Sequence, residues 1–207
     1  MIKFTTLNNI ITDLLSIIRG SEVVRTEPIS ETQIESWIHQ YRALLIKRDL
    51  DKKRMINPDY VQTINSIAMN TSGSEYVTST EIPNTIFRSN EDGFTWIGDT
   101  NGNEYQYGTE QRSKWQQYRQ YTGNNPYVYL LNYNLYSNKG DNLRVKGIFE
   151  NPMEVIRLNN PTADIDSVYP IPVDMVPTLK QMILKDELSI EAEAPSDNTN
   201  DSTHNIK

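Results

Sequence analysis

The longest stretch of this sequence without proline or glycine runs from Ile29 to Asn57, and Ser30 to Ile56 within it has the period of an α-helix. Ser30 with Gln33 three residues later forms a capping box, which marks a helix start. At about 100° per residue, one face collects apolar side chains, namely Ile34, Trp37, Ile38, Tyr41, Leu44, Leu45, Met55 and Ile56. The pattern predicts one long helix over residues 30–56 with this face turned to a core.

A second, narrower apolar stripe lies on the opposite side of the same helix and contains Ala43, Ile46 and Leu50. A helix with two apolar stripes lies between two layers, and the second layer is either another part of this chain or a neighbouring subunit. We predict that this stripe is a subunit contact. Basic residues flank it, as candidates for weak contact with DNA or with an acidic partner: Arg42, Lys47, Lys53 and Arg54.

Three further segments have helical patterns. Residues 5–18 repeat apolar side chains at helical spacing and predict a second core helix. Asn151 followed by Pro152 predicts a helix start, with the helix reaching about Leu158. A last helix is expected over Met175–Leu188, capped by Asp174 and packed on the N-terminal helices.

Beyond residue 57 the apolar period changes to two, and turn residues recur at short intervals, which predicts an antiparallel β region. Its best-defined hairpin pairs Phe94–Asp99 with Asn103–Tyr107 around Asn101-Gly102, because Asn-Gly favours a two-residue type I′ turn. This register places Trp96 opposite Tyr107.

A second hairpin is expected from Tyr127–Leu131 and Leu135–Ser137. Between the two hairpins, residues 110–121 lack glycine and proline and predict a short helix or turn. Its aromatic residues are spaced three apart and form a further predicted subunit interface: Trp115, Tyr118 and Tyr121.

These elements predict an α+β fold, in which a helical bundle of two N-terminal helices plus a C-terminal helix carries an inserted antiparallel β-hairpin module. We expect an N-terminal helical hairpin over residues 1–58 and the β module with a short helix over 59–158. A connector and the C-terminal helix follow over 159–188. The acidic tail at 189–207 contains few apolar residues, so we expect it to be disordered and dispensable for folding.

The composition argues against several classes of function. The net charge of −7 disfavours a general nucleic-acid coat, and the absence of cysteine excludes disulfides and thiolate metal sites. With two histidines, a His-dependent triad is not expected, and the sequence predicts neither a cofactor nor a membrane span. Asp99, Asn101, Asn103 and Glu110 have EF-hand spacing, but Glu104 occupies the position where that loop needs glycine.

Several short motifs resemble the connector or ring proteins of crAss-like and other short-tailed bacteriophages, which are similar to head-to-tail adaptor and tail tubular proteins. The motifs are the helix pattern I-x-x-W-I-x-x-x-R-A-L-L-I-x-x-D-L-D-K-x-R, I-P-N at 82–84, Y-T-G-N-N-P at 121–126, and V-K-G-I-F-E-N-P-M-E-V at 145–155. The resemblance runs over about residues 5–188. The turn at 131–134 lacks the glycine expected there, and the acidic tail is no part of the resemblance.

The resemblance implies a non-enzymatic virion structural protein. It would form a homo-oligomeric ring, commonly of twelve copies, beneath the portal protein, and would join capsid to tail around the DNA channel. Its partners would be the portal, other tail and connector proteins, and passing genomic DNA without sequence specificity, after synthesis in the host bacterial cytoplasm. The alternative from the residues themselves is a carbohydrate- or receptor-binding β module that uses tyrosines as a stacking surface. A third hypothesis is a lytic enzyme with paired carboxylates, such as Asp164 and Asp166.

Overall fold

The structure is a computed structural model that describes residues 5–20, 29–52, 56–87, 93–116, 118–121 and 123–188. Its helices are α1 (Leu7–Gly20), α2 (Glu31–Lys52), α3 (Glu110–Gln116), α4 (Pro152–Asn159) and α5 (Val176–Leu188). Its strands are β1 (Gln62–Ile67), β2 (Met69–Ser72), β3 (Glu75–Thr78), β4 (Phe94–Asp99), β5 (Gln106–Tyr107), β6 (Tyr127–Leu131), β7 (Asn134–Ser137) and β8 (Leu143–Gly147). No helix in these ranges is long and apolar enough to cross a bilayer. The tail at 189–207 lies outside the described residues.

The helix starts follow the local capping chemistry. The Ser30 hydroxyl accepts a hydrogen bond from the Gln33 backbone N–H at 3.2 Å, which confirms the predicted start of α2. The Asn151 side chain accepts from the Met153 N–H at 3.0 Å and caps α4 as predicted. At α5 the prediction was wrong, because Asp174 lies inside a 3₁₀ turn over Val173–Met175 that precedes the helix.

The first core lies between α1, α2 and α5. Its buried side chains include Leu14 of α1, Ile38 of α2 and Leu179 of α5, none of which has more than a trace of exposure. At the rim of this core, Lys180 of α5 forms an ion pair with Asp13 of α1.

The strands form two sheets. The first contains three antiparallel strands in the order β1-β8-β4, and the second contains five strands in the order β2-β3-β7-β6-β5, with β5 and β6 parallel. A second core draws apolar side chains from both sheets and from α4, among them Ile64, Ile97, Val128 and Val155.

The predicted architecture was therefore wrong, although the fold is α+β. The described residues contain five helices and two sheets of eight strands in all, rather than a helical bundle carrying one antiparallel hairpin module. Sequence period identifies a strand, but the partner of a strand depends on residues far away in the chain. The parallel pairing of β5 with β6 is such a non-local contact.

The loop between β4 and β5 confirms the first predicted hairpin only beside its turn. Asp99 pairs with Asn103 through a backbone bond of 3.0 Å, and Gly102 has a φ of 98°, so the loop contains three residues rather than two. After one bridge, between Gly98 and Glu104, the chain leaves β4 to pair with β6. Trp96 consequently lies against Lys146 instead of Tyr107.

The second hairpin, β6–β7, is confirmed, and its turn is unusual. Asn132 and Tyr133 form the two-residue loop with φ values of 50° and 62°, the left-handed pair that a type I′ turn requires. Tyr133 is 57% exposed, and its carbonyl accepts a hydrogen bond from the Ile82 N–H at 2.7 Å. The turn thus forms without the glycine that it ordinarily contains.

Candidate subunit interface

The second stripe of α2 lies inside the subunit. Ile46 and Leu50 are 0% and 4% exposed and pack with Tyr60, Ile86 and Ile148, and Ala43 borders the same cluster. The second layer beside α2 is therefore another part of this chain. Ile46 and Leu50 are covered within the folded subunit, so they do not form the expected surface contact, whereas Ala43 is only half-buried.

Arg42 also lies in the interior, with 0% exposure. Its Nε donates to the Pro170 carbonyl and its Nη1 to the Phe149 carbonyl, both at 2.9 Å. Its guanidinium carbon stands 5.6 Å from the centre of the Tyr169 ring. Arg42 thus joins α2 to two connecting segments and cannot contact DNA. Charge alone had predicted a surface position.

His39 lies one turn before Arg42 and completes this buried polar cluster. Its Nδ1 is 2.8 Å from the Tyr169 hydroxyl, and the two rings stack with centroids 5.7 Å apart. Burial lowers the pKa of His39 from its ordinary value, against the raising effect of Glu35, whose Oε1 is 3.5 Å from Nε2. The cluster therefore favours the neutral imidazole over its protonated form.

Of the other predicted basic contacts, Lys47 is exposed, whereas Lys53 and Arg54 lie outside the described residues. In the loop with EF-hand spacing, the Asp99 carboxylate stabilises the turn. It accepts hydrogen bonds from the Asn103 backbone and side chain at 2.8 and 2.6 Å. These hydrogen bonds lower the pKa of Asp99. Asp164 likewise caps a local turn by accepting from the Asp166 N–H.

The aromatic residues of the α3 segment lie on the surface. Trp115, Tyr118 and Tyr121 are 72%, 76% and 89% exposed, and the first two rings meet edge to face at 6.2 Å. We call these three residues the aromatic arm. Such large, adjacent exposed rings are typical of protein contact surfaces.

The face that α3 turns inward is polar. Ser113 and Gln116 are each 3% exposed, while Trp115 between them points outward. A helix that lies on a protein surface normally buries its apolar side and exposes its polar side. In α3 both buried side chains are polar, and Trp115 is exposed among polar neighbours. The energy of burying the aromatic arm is therefore not recovered within the subunit.

A cation–π contact joins α3 to the five-stranded sheet, and hydrogen bonds stabilise each side of it. Lys114 pairs with Glu110 at 2.6 Å, and its ammonium lies 6.0 Å from the centre of the Tyr129 ring in β6. The hydroxyls of Tyr127 and Tyr129 both donate to Glu75 of β3, at 3.0 and 2.7 Å. Burial, followed by this hydrogen bond, raises the pKa of Tyr127 to about 12. The two tyrosine–Glu75 hydrogen bonds therefore link β3 to β6, the strand on which α3 packs.

The segment that carries the aromatic arm is basic, although the chain as a whole is acidic. Residues 110–121 contain Arg112, Lys114 and Arg119 against one acid, Glu110, a local charge of +2 that leaves −9 on the rest. The sequence had indicated the aromatic spacing of this segment. Its positive charge is a second signal, because arginine beside aromatic rings is enriched at protein interfaces.

Comparison with protein families gave a match over most of the chain. The family model described as phage tail ring protein 2 matches residues 9–206. The match includes the acidic tail, which the sequence motifs had left out. Comparison with curated proteins gave no match.

Proposed function

Because the chain belongs to the crAss-like phage family of tail ring proteins, we propose that it is a non-enzymatic subunit of a homo-oligomeric ring at the head-to-tail connection of the virion. The family makes it a structural ring protein of the phage tail. The finer proposal is a connector ring below the portal that joins capsid to tail and surrounds the DNA channel.

The observation that supports assembly most directly is the burial pattern of α3. Two polar side chains occupy its inner face while the aromatic arm is exposed, so the arm has apolar area to bury against a partner. Burying one large aromatic side chain is worth about 1.5–3 kcal/mol. A ring repeats such a contact at every interface, and a modest gain per subunit therefore suffices.

We propose twelve copies in the ring, with the portal and other tail proteins as axial neighbours and the genome passing through the centre. A closed ring uses heterologous contacts, in which one face of a subunit meets a different face of the next. Synthesis in the host cytoplasm, without cofactor, completes the proposal.

Light scattering coupled to gel filtration, with electron microscopy of the same fractions, tests the ring. The wild-type chain should form closed rings, and the double variant Trp115→Ala/Tyr118→Ala should remain monomeric with unchanged circular dichroism. Phe87→Ala is the matched control, because Phe87 is a 56% exposed ring outside the arm and its loss should leave assembly intact. A wild-type chain that stays monomeric at high concentration contradicts self-assembly and favours the carbohydrate- or receptor-binding alternative.

A further inference from the structure

A groove lies on a different part of the surface, between α4 and the segment before residue 85. Its volume is about 320 Å³ and its lining residues are Glu81, Ile82, Pro83, Glu154, Arg157 and Leu158. We call it the α4 groove. Ile82 and Pro83 are buried side chains at its base, and Leu158 remains 39% exposed at its wall.

We propose that the α4 groove receives the aromatic arm of the next subunit in the ring. This inference rests on the proposed ring assembly and adds to it the identity of the two faces that meet. The arm is one face and the α4 groove is the other, which satisfies the requirement of a heterologous contact.

The charges of the two faces are complementary. Arg112 and Arg119 lie beside the arm in sequence and are exposed. The lining of the α4 groove contains the exposed carboxylates Glu81 and Glu154. The segment 110–121 that carries the arm has a net charge of +2 in a chain of net charge −7, so a second copy of the same chain has the opposite average charge and attracts it.

The shapes and chemistries also correspond. A volume of about 320 Å³ is at the lower end of the range of roughly 300–1,000 Å³ for ligand pockets, the scale of aromatic side chains rather than of a whole helix. The apolar base can cover a ring, and the Arg157 guanidinium at the rim can stack on the face of Trp115 or Tyr118. Arg157 therefore favours an aromatic occupant although it reduces the negative charge of the rim.

Cysteine pairing provides the direct test, since the chain contains no cysteine. A Tyr118→Cys chain mixed with a Leu158→Cys chain and treated with a short bismaleimide should give a cross-linked product of twice the chain mass. The matched control replaces Leu158→Cys with Ile17→Cys, which is an equally exposed aliphatic position, at 43%, on α1. Equal cross-linking in both mixtures, or none in the first, overturns the pairing.

A mixing experiment tests the direction of the contact. Trp115→Ala/Tyr118→Ala removes the arm, and Leu158→Arg blocks the α4 groove. Each variant alone should be monomeric, whereas an equimolar mixture should form dimers and nothing larger, because only one intact arm and one intact groove remain per pair.

The outcomes also separate this inference from the proposed ring. If the wild-type chain forms rings and Leu158→Arg forms them equally well, the arm binds elsewhere and the ring proposal stands. If the wild-type chain forms no assembly and no cross-link, both fail. Circular dichroism of each variant shows that folding is retained, and the cross-linking test keeps the inference testable if Leu158→Arg does not fold.

Discussion

At the scale of single residues, the interior contains a fully buried charged side chain, Arg42. Arg42 has 0% exposure and donates hydrogen bonds to the carbonyls of Phe149 and Pro170. Its guanidinium also makes a cation–π contact with the face of the Tyr169 ring. Burial of a charge is costly unless its hydrogen bonds are made. Arg42 therefore fixes the positions of the segments that supply these carbonyls.

Arg42→Ala should lower the free energy of unfolding by about 2–5 kcal/mol, because it leaves a cavity and two carbonyls without their donor. Urea unfolding followed by circular dichroism measures the change. Lys47→Ala, at an exposed position on the same helix, should change stability by no more than about 0.5 kcal/mol. A loss below about 1 kcal/mol for Arg42→Ala would show that the surrounding segments relax around the cavity.

His39 makes stability depend on pH. Burial lowers the pKa of His39 in the folded state, so below about pH 6.5, the ordinary pKa, the unfolded chain binds more protons at this residue. Its contribution to stability is thus complete above pH 6.5 and is lost as the pH falls toward the folded-state pKa. The difference in stability between pH 8 and pH 5.5 should be smaller in His39→Gln than in the wild type. An equal difference in both proteins would assign the acid sensitivity to other groups.

At the scale of elements, the segments whose signals are local were predictable. The α2 and α4 starts follow from Ser30 and Asn151, since a cap acts over three residues. The partner of β5 was not predictable in this way, because its parallel pairing with β6 joins distant residues. The buried Ser113 and Gln116 of α3 were missed for a related reason, since hydrophobic period predicts which face a helix buries only when tertiary packing agrees.

The β6–β7 turn offers a test at this scale. Tyr133→Gly should raise the free energy of unfolding by about 0.5–1 kcal/mol, because a tyrosine at φ 62° carries a steric cost that glycine lacks, partly offset by the greater entropy of the unfolded glycine chain. Thermal unfolding measures the effect. A destabilised variant would mean that the exposed ring contributes contacts that outweigh the strain.

At the scale of the whole molecule, charge limits contact with DNA. The chain carries −7 overall, Arg42 is buried, and the proposed ring must not hold the DNA that it surrounds. We expect no sequence-specific binding and non-specific binding no tighter than tens of micromolar at physiological salt. Fluorescence anisotropy with duplex DNA over a salt series measures it. Submicromolar affinity at about 150 mM salt would contradict a passive channel.

The position of α2 between two layers has a consequence for how the subunit unfolds. One face of α2 contributes Ile38 to the core with α1 and α5, and the other contributes Ile46 to the core with Tyr60 and Ile148. Unfolding of α2 removes buried side chains from both of these cores, so neither core can unfold while the other stays intact. Scanning calorimetry should therefore show one cooperative transition with equal calorimetric and van't Hoff enthalpies. The two cores that share α2 therefore unfold together rather than one after the other.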